Sequence, residues 1–88
     1  MFTWINKQGV ESEDGFVVQR TGRFSVECRD DVKAIELNVE SGLANGKPAI
    51  LYSSSDFTQW SKIPHECEMA ENVFRQAMEF QGLVPIDE

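Results

Sequence analysis

The chain has 88 residues, 41% of them hydrophobic and 10% aromatic, and its 8 Lys and Arg against 15 Asp and Glu leave a net charge of −7. A chain this short buries only about 60–65% of its unfolded surface, so residues 1–88 are expected to form one domain with a single core. The apolar content is too high for a disordered acidic chain, and the negative charge repels phosphate backbones and anionic lipid, which excludes nucleic acid and membranes as expected partners.

Cys28 and Cys67 are the only cysteines. A disulfide-built secreted domain of this size carries more, and free cysteine packs well as a small core residue, so both read as buried thiols in a reducing, cytoplasmic compartment. No charged head followed by an apolar run opens the chain, and no apolar stretch reaches bilayer length.

Taken in chain order, "FTWINK" reads as a first strand, ended by the acidic loop "QGVESEDG". "GFVVQRTGRF" reads as a hairpin in which Gly22 supplies the positive φ of a short connection. In "RFSVECRD" Phe24, Val26 and Cys28 share one face, and in "KAIELNVE" Ile35, Leu37 and Val39 do the same, opposite Glu36 and Glu40. A two-residue turn at Asp30 and Asp31 would pair Val26 with Ile35 and Phe24 with Leu37. Shifting this register by two residues keeps the apolar face but sets Glu27 opposite Glu36, a like-charge pair costing a few tenths to about 1 kcal/mol, so the tighter turn is expected. In "ESGLANGKPAILYSS", Gly42, Asn45, Gly46 and Pro48 read as turn material before a strand from Ala49 to Ser53.

Periodicity changes after Pro64. Ala70, Val73, Phe74, Ala77 and Met78 follow helical spacing with polar residues opposite, Pro64 suits the first helical position, and Gly82 suits the position just past the end. In "LVPIDE" a last short strand is expected, with Pro85 favouring a sheet edge. The sequence therefore predicts an α+β fold, an antiparallel β-meander of about five strands packed against one C-terminal amphipathic helix.

The candidate sites are few. "SSSD" and His65 supply the residue types of a hydrolytic triad, yet no G-x-S-x-G or similar support surrounds them, and small polar residues between strand and helix are ordinary connector composition. His65, Glu66, Cys67 and Glu68 are successive on a helix and rotated by about 100° each, so they cannot converge on one metal ion. "ANGKP" stops in proline where a phosphate cradle would open a helix. No catalytic residue, metal or cofactor is expected. Trp4 and Trp60 are more often core lids than anchors in so small a chain, and Trp60, in the connector beside Phe57 and Lys62, is the better anchor candidate. Glu11, Glu13 and Asp14 crowd one loop, Asp30 and Asp31 one turn, and Glu36 and Glu40 the solvent face of the sheet. Each is explained by solvation alone. Together they form a broad acidic surface suited to a basic protein.

Trp4, Gly9, Val10, Gly15, Phe16, Arg23, Phe24 and Glu27, followed by Glu40 and Gly42, then Trp60 and Pro64, then Ala77, Phe80 and Gly82, form a pattern over most of the chain. It resembles small bacterial immunity proteins of polymorphic toxin systems. Cys28 departs from it, standing where the pattern has a tyrosine. The resemblance implies an α+β domain that neutralises a cognate toxin of its own cell by covering the toxin's active surface, with no catalytic residues of its own. A general interaction adaptor or phage-type accessory protein of the same fold is the alternative, followed by a small-molecule binder or enzyme with a pocket between sheet and helix.

Overall fold

Period-two alternation builds the first half of the chain. A computed structural model describing residues 1–88 shows β1 (Thr3–Asn6), β2 (Gly9–Glu11), β3 (Val17–Gly22), β4 (Ser25–Arg29) and β5 (Ala34–Asn38) as an antiparallel sheet in sequential order. Val10, Val18, Cys28 and Ile35 lie in register across β2 to β5, with Val26 and Leu37 as the next pair, and all six are buried. The opposite face carries Gln19, Glu27 and Glu36 in register. β2 lies within the segment expected to be loop, because three residues with a single inward side chain leave no periodicity to read.

The β4–β5 pairing is the register that electrostatics disfavoured. Val26 pairs with Leu37, Cys28 with Ile35 and Glu27 with Glu36. Asp30 explains the difference. Its carboxylate accepts the backbone N–H of Val32 at 2.8 Å and of Lys33 at 2.9 Å, and its own N–H donates to the Lys33 carbonyl at 2.9 Å, which builds a four-residue turn. Hydrogen bonds to a charged acceptor contribute about 1.5–3 kcal/mol each, more than a like-charge strand pair costs. Arg29 also approaches Glu27 at 2.8 Å and offsets the repulsion. Phe24 is correspondingly outside the core, 59% exposed in the β3–β4 connection with Arg23 over its ring at 5.4 Å. Gly22 does not adopt positive φ; it lies at a register shift opposite Ser25, where a Cβ would come within 2.9 Å of the Ser25 hydroxyl.

A second sheet follows. β6 (Glu40–Ala44) and β7 (Lys47–Tyr52) form a hairpin closed by Asn45 and Gly46, both at positive φ (52° and 80°), the conformation of a two-residue turn that follows strand twist. Gly42 and Pro48 are thus strand residues rather than turn material. Pro48 is tolerated because the third strand, β8 (Val84–Asp87), pairs with β7 only from Ala49 onward. β8 runs parallel to β7 on the sheet edge and contains Pro85. The expected strand at Ala49 to Ser53 is therefore part of this second sheet and not a fifth strand of the first.

Between β7 and β8 run a 3-10 helix (Ser54–Gln59) and α1 (Pro64–Phe80), with Pro64 at the helix start. α1 buries Ala70, Phe74, Ala77 and Met78, and Val73 packs against the same core. Phe74 meets Tyr52 at 4.8 Å and Phe57 at 5.5 Å between ring centroids, so one aromatic cluster joins strand, 3-10 helix and α1. Each such pair adds about 0.5–1.5 kcal/mol beyond area burial. α1 is not long and apolar enough to cross a membrane.

Candidate functional site

Three chain turns and the start of α1 meet at one end of the five-stranded sheet. The turn before Phe16 is fixed by the Ser12 hydroxyl, which accepts the Phe16 N–H at 3.1 Å, while the Ser12 N–H donates to the Phe16 carbonyl at 2.9 Å. It presents Asp14 outward and sends Phe16 into the core, where its ring lies 5.1 Å from Trp60. The Asp30 turn supplies the second wall. Its two backbone N–H donors hold the Asp30 carboxyl below the usual carboxylate range, and it carries the Lys33 ammonium to 4.8 Å from the centre of the Trp60 ring. At the helix start, Ser61 donates to Glu66 at 2.7 Å and accepts the Ile63 N–H at 3.0 Å, which anchors the link from Trp60 into α1.

The result is a cleft of about 320 Å³. Phe16, Trp60, Met69, Ala70 and Val73 form its apolar wall, and Asp14, Asp30, Glu66, Ser12 and Lys33 its polar rim. This arrangement can seat one extended side chain against aromatic and aliphatic surface while offering negative charge at the mouth. Three of the sequence-derived candidates, Asp14, Asp30 and Trp60, line it together. Trp60 is 8% exposed and its ring belongs to the core, so it is a wall of this cleft rather than a projecting side chain.

The other acidic candidates are elsewhere. Glu11 is a strand residue of β2 paired with Thr3 and Val17, Glu13 lies 3.1 Å from the Met1 amine, and Asp31 is exposed in the β4–β5 turn. Glu36 and Glu40 are both exposed but do not share a sheet face. Val39 between them is buried and its N–H donates to the Phe24 carbonyl at 2.9 Å, so the chain leaves the first sheet there and Glu40 opens the second. Lys33 and Met69 escaped sequence reading, and Glu66 enters it only as a candidate metal ligand. Glu66, Met69, Ala70 and Val73 do follow helical spacing, a signal for one side of the cleft, whereas nothing local marks Lys33.

The serine-rich stretch is a connector. Ser53 and Ser55 hydroxyls contact each other at 2.7 Å, the Ser54 N–H donates to Asp87 at 2.9 Å, and Asp56 accepts the Asn38 N–H at 3.4 Å, while His65 is exposed on α1 and bonds none of them. Cys67 is half-buried rather than buried, with its thiol donating to the Ser61 carbonyl at 3.1 Å. No three His, Cys, Asp or Glu side chains converge to hold a metal ion. Comparison with protein-family models, curated proteins and solved structures yields no match.

Proposed function

We propose that this chain is a non-catalytic acidic binding protein that neutralises a basic cognate toxin by occluding it, acting in the cytoplasm as an immunity protein. The observation that carries this reading is the state of its carboxylates. Of the 15 Asp and Glu side chains, only Glu13 and Glu27 form close ion pairs, so most of the negative charge is left without a cation in contact. Such a surface steers oppositely charged proteins into encounter and disfavours acidic ones. The apolar-walled cleft gives that surface a place where a partner side chain can be desolvated, and desolvated central contacts rather than rim charges hold a complex together. The toxin assignment itself is supported by the sequence resemblance.

A second reading has its own observation. Trp4 is 50% exposed and Phe80 41% exposed, with rings 6.1 Å apart beside the free edge of β1. Exposed aromatics at an unpaired strand edge favour protein docking independent of charge, which fits a general adaptor. Co-expression with the product of the neighbouring reading frame separates the two. An immunity protein binds that product and protects the producing cell, and loss of both binding and protection would refute the toxin reading.

A further inference from the structure

The cleft already contains a cation from its own chain. The Lys33 ammonium sits 4.8 Å from the Trp60 ring centre, yet the ion pairs of the molecule are confined to Glu13 with the terminal amine and Glu27 with Arg29. Lys33 is therefore held by the indole face and by its attraction to Asp30 across the cleft, while Asp14, Asp30 and Glu66 at the rim form no close ion pair. Asp30 has its Oδ1 committed to two backbone donors, which fixes the carboxylate in place and keeps it ionised. Glu66 is fixed in the same way by the Ser61 hydroxyl at 2.7 Å.

We propose that this cleft is the docking site for an arginine side chain of the basic partner, which displaces Lys33 from the Trp60 ring and places its guanidinium among Asp14, Asp30 and Glu66. Charge complementarity selects a cation, and the indole face shows where the cation lies. A planar guanidinium stacks on that face and offers its five N–H donors to carboxylates in a fixed fork, which an ammonium cannot do. The stem methylenes of the arginine lie along Met69 and Val73. The volume of about 320 Å³ is at the low end of small-molecule pockets and fits a single side chain. Lys33 becomes an internal placeholder that keeps the indole face occupied until the partner arrives.

The proposal rests on the reading of this protein as a docking partner for a basic protein, and the two can fail separately. The test titrates ¹⁵N-labelled protein with acetyl-Gly-Arg-Gly-amide while following the indole N–H resonances of Trp60 and Trp4. A saturable shift at Trp60 with Trp4 unmoved is expected, and the citrulline counterpart, which keeps the shape and loses the charge, should give none. Asp14→Asn together with Glu66→Gln should weaken the titration about three- to tenfold, the range of partly solvated charge contacts. Lys33→Gln should strengthen it, and Glu79→Gln, exposed on α1 and outside the cleft lining, should leave it unchanged. Retained spectral dispersion checks that each variant is folded. A still Trp60 resonance, an equal response to citrulline, weakening by Lys33→Gln, or equal weakening by Glu79→Gln would each overturn the cleft assignment. An arginine response at Trp60 without binding of the neighbouring-frame product would remove the toxin and keep the cleft. Binding of that product with Trp60 unmoved and Asp14→Asn/Glu66→Gln without effect would remove the cleft and keep the toxin.

Discussion

Tyr52 shows how a polar group is brought into a small core without cost to the fold. Its ring is fully buried against Phe57 and Phe74, while its hydroxyl donates to Glu71 at 2.6 Å and accepts from Arg75 at 2.7 Å. Burial, reinforced by the Glu71 carboxylate, pushes the phenol from 10.0 up to about 12. Cys28, on β4 of the first sheet, is raised from 9.0 by burial and by Glu27. Both groups ionise more readily in the unfolded chain, so their contributions are complete below the unfolded values and are lost as pH rises through the folded ones. Stability should therefore decline from about pH 9 upward, and Tyr52→Phe should flatten the decline between 10.0 and about 12 while costing about 1 kcal/mol at neutral pH. Urea unfolding across that window checks both, and an alkaline profile that stays flat would contradict the assignment. Ser54 and His65 are the opposite case: the Ser54 hydroxyl makes no hydrogen bond and His65 is exposed on α1. Ser54→Ala and His65→Ala should each change stability by less than about 0.5 kcal/mol and leave partner binding intact. Hydrolytic activity abolished by either substitution would restore a catalytic role to the stretch.

At the scale of elements, the β4–β5 hairpin sets two local preferences against each other. Asp30 caps a four-residue turn, and the register that follows places Glu27 across from Glu36, with Arg29 at 2.8 Å from Glu27 as the compensating cation. Arg29→Ala should cost about 0.5–1 kcal/mol, Glu36→Lys should gain a few tenths to about 1 kcal/mol, and the double variant should be more stable than the sum of the two, because Arg29 has less repulsion to offset once Glu36 is replaced. Denaturant midpoints of the four proteins at low and high salt form the measurement, and strict additivity would show that the pair is uncoupled. This hairpin also marks the limit of what sequence discloses. The apolar faces of β4, β5 and α1 were legible because burial is periodic: of the core they predict, Val26, Ile35, Leu37, Phe74 and Ala77 belong to the buried cluster, and Val73 is partly buried against it. The register was not legible, since it turns on a side-chain cap within four residues whose strength exceeds the repulsion it creates. β6 was hidden for a related reason: Gly42 and the exposed Leu43 give it no buried stripe, and only its pairing with β7 makes it a strand. Of the cleft, the residue types at Asp14, Asp30 and Trp60 stood out singly, but their meeting is a product of three separate turns and carries no local signature.

At the scale of the whole molecule, the carboxylates outside close ion pairs divide between two surfaces with different work in a complex. Glu36 lies on the open face of the first sheet, whereas Glu40 shares a surface depression with Arg20 and Arg23, which reduce its local field. The cleft acids surround apolar surface that a partner can exclude from water. Exposed charges act mainly on encounter, and desolvated contacts act mainly on residence time. Charge reversal at Glu36 should accordingly slow association with the neighbouring-frame product more than reversal at Glu40, and added salt should reproduce part of the loss, because steered encounters exceed the ~10⁵–10⁶ M⁻¹s⁻¹ of neutral pairs. Asp14→Asn with Glu66→Gln should instead accelerate dissociation. Trp60→Ala tests neither effect cleanly, since removing an indole that is 8% exposed should cost about 3–5 kcal/mol of stability, so melting of that variant is measured beside its binding. Association kinetics at two ionic strengths decide the matter. Rates that ignore both salt and the Glu36 reversal would exclude electrostatic steering and move the docking face to the neutral edge at Trp4 and Phe80.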